Sequence, residues 1–134
     1  MPAQQYEGFT SPPEFVLDIG PDGYAYVKPN TFKAGFAADT RDADAAYMRD
    51  SQVPIAMAAF GTTLRHAAWR TKPSWAVIAT DDRAFQIGMP PKMAKRIGAT
   101  RIEVKASHGV FMTQPKALAD VIDTVAGQVS AKRD

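Results

Sequence analysis

Two carboxylates stand side by side in "ATDDRAF", residues 79–85, and a lone histidine stands in "VKASHGVF", residues 104–111. Each word follows an apolar run of strand length. An imidazole beside a carboxylate is a proton-transfer pair: the histidine takes a proton from a nucleophile and later returns one to a leaving group, while the acid fixes the ring tautomer and stabilises the imidazolium. Acid first and histidine second is the order of a triad whose chain runs nucleophile, acid, histidine. The chain has no cysteine, so a thiolate nucleophile, a thiolate metal site and a disulfide framework are all excluded.

Such a pair needs two strand ends at one rim. "SWAVIAT" is apolar without interruption, the pattern of a strand covered on both faces in a parallel sheet. "PPKMAKRIGA" predicts a helix, with Pro90 and Pro91 in its first turn, Met93 and Ile97 on one face and Gly98 at its stop. "TRIEVK" alternates Ile102 and Val104 against Arg101, Glu103 and Lys105, as a strand does. "TQPKALADVIDTVAGQVSAKR" predicts the longest helix, with Thr113 as N-cap, Pro115 in the first turn and a stripe of Leu118, Val121, Ile122, Val125 and Val129. Strand, helix, strand, helix with short connections predicts a right-handed parallel unit. Both candidate residues then follow the carboxyl ends of parallel strands, the edge at which open α/β sheets bind ligands.

The first third has a different texture. "EFVLDIGPDGYAYVKP" predicts a β-hairpin of Phe15 to Ile19 and Tyr24 to Val27 around "GPDG". "NTFKAGFAAD", "TRDADAAYMRDSQ" and "PIAMAAF" predict three short helices, the second starting at Thr40 or Asp42 and the third with Pro54 in its first turn. "GTTLRHAAWRTKP" has no period and reads as an exposed connector carrying a surface His66.

At 134 residues, with 46% hydrophobic and 22% charged residues, the chain fits one folded domain. Its 16 Lys and Arg are interspersed with 14 acids, without a basic stripe, which argues against nucleic-acid binding. "MPAQQYEGFT" has neither a basic n-region nor an apolar run, and no stretch of about 18 apolar residues occurs, so no membrane association is expected and a cytoplasmic location is the provisional expectation.

"KPSWAVIATDDRAF", "MAKRIGATRIEVKASHGVFMTQPKALADVI" and "FAADTRDADAAYMRDSQVPIAMAAF" together resemble the C-terminal half of α/β-fold hydrolases of the esterase and hydroxynitrile-lyase-like group. In that family a "T-E/D-D-R/K" turn supplies the triad acid from its second acidic position and a "G/S-H-x-V/A" turn supplies the histidine. The resemblance therefore implies that Asp82 is the triad acid, Asp81 its flanking neighbour and His108 the base. It implies the C-terminal part of an α/β-hydrolase fold in which residues 1–71 form the lid, a hairpin with small helices, and residues 72–134 belong to the core. Phe32, Phe36, Tyr47, Met48, Met57 and Phe60 would be either lid core or lining of an acyl or alcohol pocket. A small carboxylic ester as substrate, and no metal or organic cofactor, are the further implications.

The nucleophile of this family lies on a G-x-S-x-G turn upstream of the lid. The five serines here sit in "TSP", "DSQ", "PSW", "ASH" and "VSA", none between the required glycines. "FQIGMPPK" also departs from the family's turn after the acid. The expectation is a truncated hydrolase without its nucleophile half, inactive alone. Two parallel strands cannot cover the apolar helix faces, so rescue by a separate N-terminal half or by self-association is expected. The alternatives are a non-catalytic interaction module and one subunit of a split hydrolase.

Overall fold

The computed structural model describes residues 8–130. The hairpin forms as the sequence predicts: β1 (Leu17–Ile19) pairs antiparallel with β2 (Tyr24–Val27), with Leu17 opposite Val27 and Ile19 opposite Ala25. Pro21 presets the turn, and the Asp22 carboxylate accepts the Tyr24 N–H at 3.1 Å. Two short helices follow, α1 (Phe32–Phe36) and α2 (Asp42–Asp50). Phe32, Ala37 and Ala45 form a small buried core, against which Val27, Phe36 and Met48 pack. Gly35 is required there, because a Cβ would run into the Glu14 carbonyl.

Two expectations in this part are corrected. "PIAMAAF" is not one helix from Pro54: Ile55–Ala56 form a strand, β3, antiparallel to β2, and only Ala58–Gly61 are helical as α3. The open edge of β2 offers hydrogen bonds to the segment, and β-branched Ile55 suits that pairing, so tertiary contact overrides a helical period. Helix α2 begins at Asp42, but Thr40 does not cap it. The Thr40 hydroxyl turns back to the Ala37 carbonyl at 2.7 Å, in a buried position. The connector after α3 is largely exposed, with one 3-10 turn at Ala68–Arg70, and His66 lies on the surface.

The second half is the expected parallel unit. Strand β4 (Trp75–Ala79) pairs with β5 (Thr100–Val104), in register from Trp75 opposite Thr100 to Ala79 opposite Val104, and helix α4 (Met89–Arg96) makes the crossover. Gly98, at φ 66°, takes the left-handed conformation that ends α4. A short α5 (Val110–Thr113) and the long α6 (Pro115–Ser130) complete the described chain.

For the strand, coverage falls short of the sequence expectation; for the helix it is as incomplete as two strands imply. Strand β4 is not buried on both faces: only Ile78 is buried, and the rest of the strand is half-buried. Helix α6 contains no buried residue; Leu118, Val121, Val125 and Val129 are half-buried, and Ile122 is 59% exposed. The reason is geometric. Among the described residues the parallel sheet has two strands, and two strands are too narrow to cover a sixteen-residue helix. Thr113 does not cap α6 either, since it ends α5 and its hydroxyl is committed elsewhere. No helix among the described residues is long and apolar enough to cross a membrane.

Candidate active site

The parallel ladder continues past the strand ends and sets the register of the two site loops. The Thr80 N–H donates to the Val104 carbonyl at 2.9 Å, and the Asp81 N–H donates to the Ala106 carbonyl at 3.0 Å. Asp82 and His108 thus emerge together, although 26 residues separate them. Asp82 Oδ2 lies 2.8 Å from His108 Nδ1. A carboxylate is an acceptor, so Nδ1 carries the proton in this pair and Nε2 is left as the basic atom.

The acid is fixed by its own turn. Asp82 Oδ1 accepts the N–H of Ala84 at 2.7 Å and of Phe85 at 3.3 Å, which leaves Oδ2 to the imidazole. This is the local bonding that a short aspartate makes readily. The Asp82 side chain is 10% exposed and that of His108 31%: the carboxylate is shielded, while the imidazole keeps a face open to a reactant. The imidazole is also held by two aromatic rings, Phe36 at 4.8 Å and Phe85 at 5.3 Å between centroids, both inclined to it. One ring comes from α1 and the other from the loop after β4.

The histidine loop is tied to the N-terminal helices at the residues on either side of His108. The Gly109 N–H donates to the Phe36 carbonyl at 2.9 Å. The Ser107 N–H donates to Asp39 Oδ2 at 3.1 Å, and the Ser107 hydroxyl donates to Asp39 Oδ1. Asp39 Oδ2 also accepts the Thr113 hydroxyl at 3.0 Å. Burial pushes the Asp39 carboxyl up, but the bonds from the Ser107 hydroxyl, the Ser107 N–H and the Thr113 hydroxyl outweigh it and hold the group below the usual carboxylate range.

Of the residues singled out by sequence, Asp82 and His108 are brought together. Asp81 is exposed, and its backbone serves the ladder. Of the six aromatic and methionine side chains singled out in the first part of the chain, Phe36 touches the imidazole, while Phe32 is core and Tyr47 and Phe60 are exposed. Asp39 escapes the sequence reading, since "FAADT" looks locally like a break between helices. Ser107 enters that reading only as a serine lacking the nucleophile turn; its burial is what fixes the loop.

A groove of about 500 Å³ runs beside Asp82, lined among others by Pro12, Glu14, Phe85 and Ile87. His108 is not in its lining, so it flanks the pair instead of enclosing it. Among the described residues no group of three His, Cys, Asp or Glu is arranged to hold a metal ion.

A family model described as the alpha/beta hydrolase family matches residues 2–121. No curated protein matches the chain. Among solved structures, that of polyneuridine aldehyde esterase is similar, with a TM-score of 0.67 at 12% identity over 94% of this chain. The match spans 51% of that esterase, so the chain covers about half its length. At this identity the likeness bears on the fold alone, and it accords with the parallel unit. With nearly all of its residues inside the family match and the matching fold in place, the chain belongs to the alpha/beta hydrolase family.

Proposed function

We propose that this chain supplies the acid and the base of a Ser-His-Asp triad acting on small carboxylic esters, with the serine contributed by a segment outside its 134 residues. The observation that carries the reading is the 2.8 Å bond from His108 Nδ1 to an Asp82 carboxylate that its own turn already immobilises. In this scheme His108 Nε2 removes the serine proton as the hydroxyl attacks the ester carbonyl. The imidazolium, stabilised by Asp82, then protonates the departing alkoxide, and a water repeats the sequence to free the acid. The similar solved structure is by name an esterase, which supports the ester class. Residues 1–71 act as the lid, with the Phe36 ring against the imidazole.

The test starts with the DNA upstream of the Met1 codon, where a G-x-S-x-G turn is expected after a strand, in frame or in a separate reading frame. The polypeptide bearing it, produced together with this chain, hydrolyses a short-chain p-nitrophenyl ester, and His108→Ala removes that activity. The 134-residue chain alone gives no hydrolysis and no fluorophosphonate label. Labelling of any of its five serines would overturn the proposal.

A second reading, a non-catalytic interaction module, is favoured by the apolar surface left open at Ile122, Phe111 and Met112. Stable self-association, with no polypeptide that restores ester hydrolysis, would select it.

A further inference from the structure

The triad reading gives His108 one anchor, Asp82, but the structure gives its loop a second, from the other half of the chain. Ser107 is 1% exposed, and its buried N–H finds its acceptor in Asp39. A buried donor left without an acceptor is costly, so the loop cannot keep this conformation unless Asp39 stays in place. The same carboxylate accepts the hydroxyl of Ser107 and, at 3.0 Å, that of Thr113, which closes α5 on the far side of the histidine. Three residues before Asp39, the Phe36 carbonyl accepts the N–H of Gly109, and the Phe36 ring lies against the imidazole. His108 is therefore bracketed in sequence by two backbone donors, at 107 and 109, both satisfied by residues 36–39.

From this bracket we infer that Asp39 is a positioning residue for His108: it anchors the histidine loop to the segment after α1, so that the imidazole meets Asp82 only while that segment is docked. Among the described residues no charged partner of Asp39 takes part in the network; the three bonds described come from groups on the histidine loop and α5. Its chemistry is that of an acceptor gathering three donors; an asparagine amide can face the Ser107 hydroxyl, which accepts as well as donates and has the Phe36 carbonyl 3.4 Å away for its own proton, so alanine is the substitution that removes the anchor. Asp39 touches neither the imidazole nor a reactant and acts through Ser107.

The inference rests on the Asp82–His108 pair, and the experiment separates the two. Histidine is labelled with 15N in the 134-residue chain, and the ring Nδ1–H resonance is followed by NMR; His66, exposed and remote in sequence, is the internal control. The wild-type chain is expected to show one exchange-protected Nδ1–H, from His108, and Asp82→Asn removes it. Asp39→Ala is expected to lower its protection at least tenfold, with far-UV circular dichroism and the His66 ring resonances unchanged. Ser107→Ala, which keeps the backbone donor and fills nearly the same volume, gives a smaller change in the same direction and stands in if Asp39→Ala does not fold. An unaltered His108 signal in Asp39→Ala, or in Ser107→Ala where that variant must stand in, overturns the inference while leaving the pair intact. A protected signal that survives Asp82→Asn, or is absent from the wild type, overturns the pair and the inference with it.

Discussion

The rim of the parallel unit and the helix that ends the described chain contrast sharply. At the carboxyl ends of β4 and β5, side chains from both halves of the sequence meet: Asp82, Phe85, Ser107 and His108 from one, Phe36 and Asp39 from the other. Polar groups there are matched, and among the described residues no buried side-chain polar atom lacks a partner. Along α6, by contrast, no residue is buried and Ile122 stands 59% exposed. The site rim is held by contacts within the chain, whereas the helix face awaits cover. The proposed chemistry and the missing cover thus fall on different surfaces, which substitutions can separate.

The largest effect is expected at the rim. In a hydrolase assembled from this chain and a polypeptide bearing the serine turn, Asp82→Asn lowers kcat about 10⁴-fold, because an asparagine donor holds the wrong imidazole tautomer. KM for a p-nitrophenyl ester is expected to change little, since Asp82 acts on the ring and not on the substrate. A fall of less than tenfold in kcat would mean that the pair is not the proton relay.

Next comes the small core that supports the rim from the N-terminal side. Phe32 is 3% exposed between Ala37 and Ala45, and its ring lies 5.2 Å from that of Phe36. Phe32→Ala is expected to cost about 3–5 kcal/mol in urea unfolding, the range for truncating a buried aromatic. It also loosens Phe36 against His108, so His108 should lose its protected ring proton at urea concentrations where the far-UV signal is still intact.

Much of this arrangement is legible from sequence, and what escapes has a common cause. The hairpin, the parallel unit and the pair Asp82 and His108 each follow from short local words. Asp39 does not, because its partners lie 68 and 74 residues further on, and nothing local distinguishes it from a polar break between helices. Thr113 misleads for the same reason: a threonine before a proline-led helix is a good cap, but a carboxylate from the other half of the chain claims its hydroxyl. Pro54 likewise sits before a strand, since the edge of β2 is invisible from the segment itself. The exposure of α6 is legible in outline, as two strands cannot cover its stripe.

A smaller effect follows from acid. The Asp39 carboxyl is held below its ordinary value near 3.8 in the fold, so its stabilisation is present above that value and is lost as pH falls through the lower folded one. Asp42, Asp44 and Asp50 are lowered too, by hydrogen bonds and charge from Lys33, Arg41 and Arg49. Those pairs are exposed and screened by salt, while the Asp39 network is made of neutral donors. In about 0.5 M salt, where screening is short-ranged, Asp39→Asn is therefore expected to flatten the loss of stability below about pH 4. An acid limb identical to that of the wild type would show that the carboxylate contributes nothing to holding the loop.

The smallest effect is expected on the open helix face, and it is the sharpest check on the contrast. Ile122→Ser removes an apolar side chain from the centre of the α6 stripe. In a well-covered helix this would cost several kcal/mol through lost burial. Here the side chain is already mostly in water, so folding of the 134-residue chain has little to lose, and a change within about 0.5 kcal/mol is expected by urea unfolding. The same substitution should matter once a covering surface is present, whether a serine-bearing polypeptide or a second copy, because there the isoleucine would enter a contact that serine cannot make. Sedimentation velocity of mixtures, wild type against Ile122→Ser, reads that difference directly. A substitution silent in the chain alone and disruptive in the mixture assigns this face to assembly; a large loss in the chain alone would mean that α6 is already covered in solution.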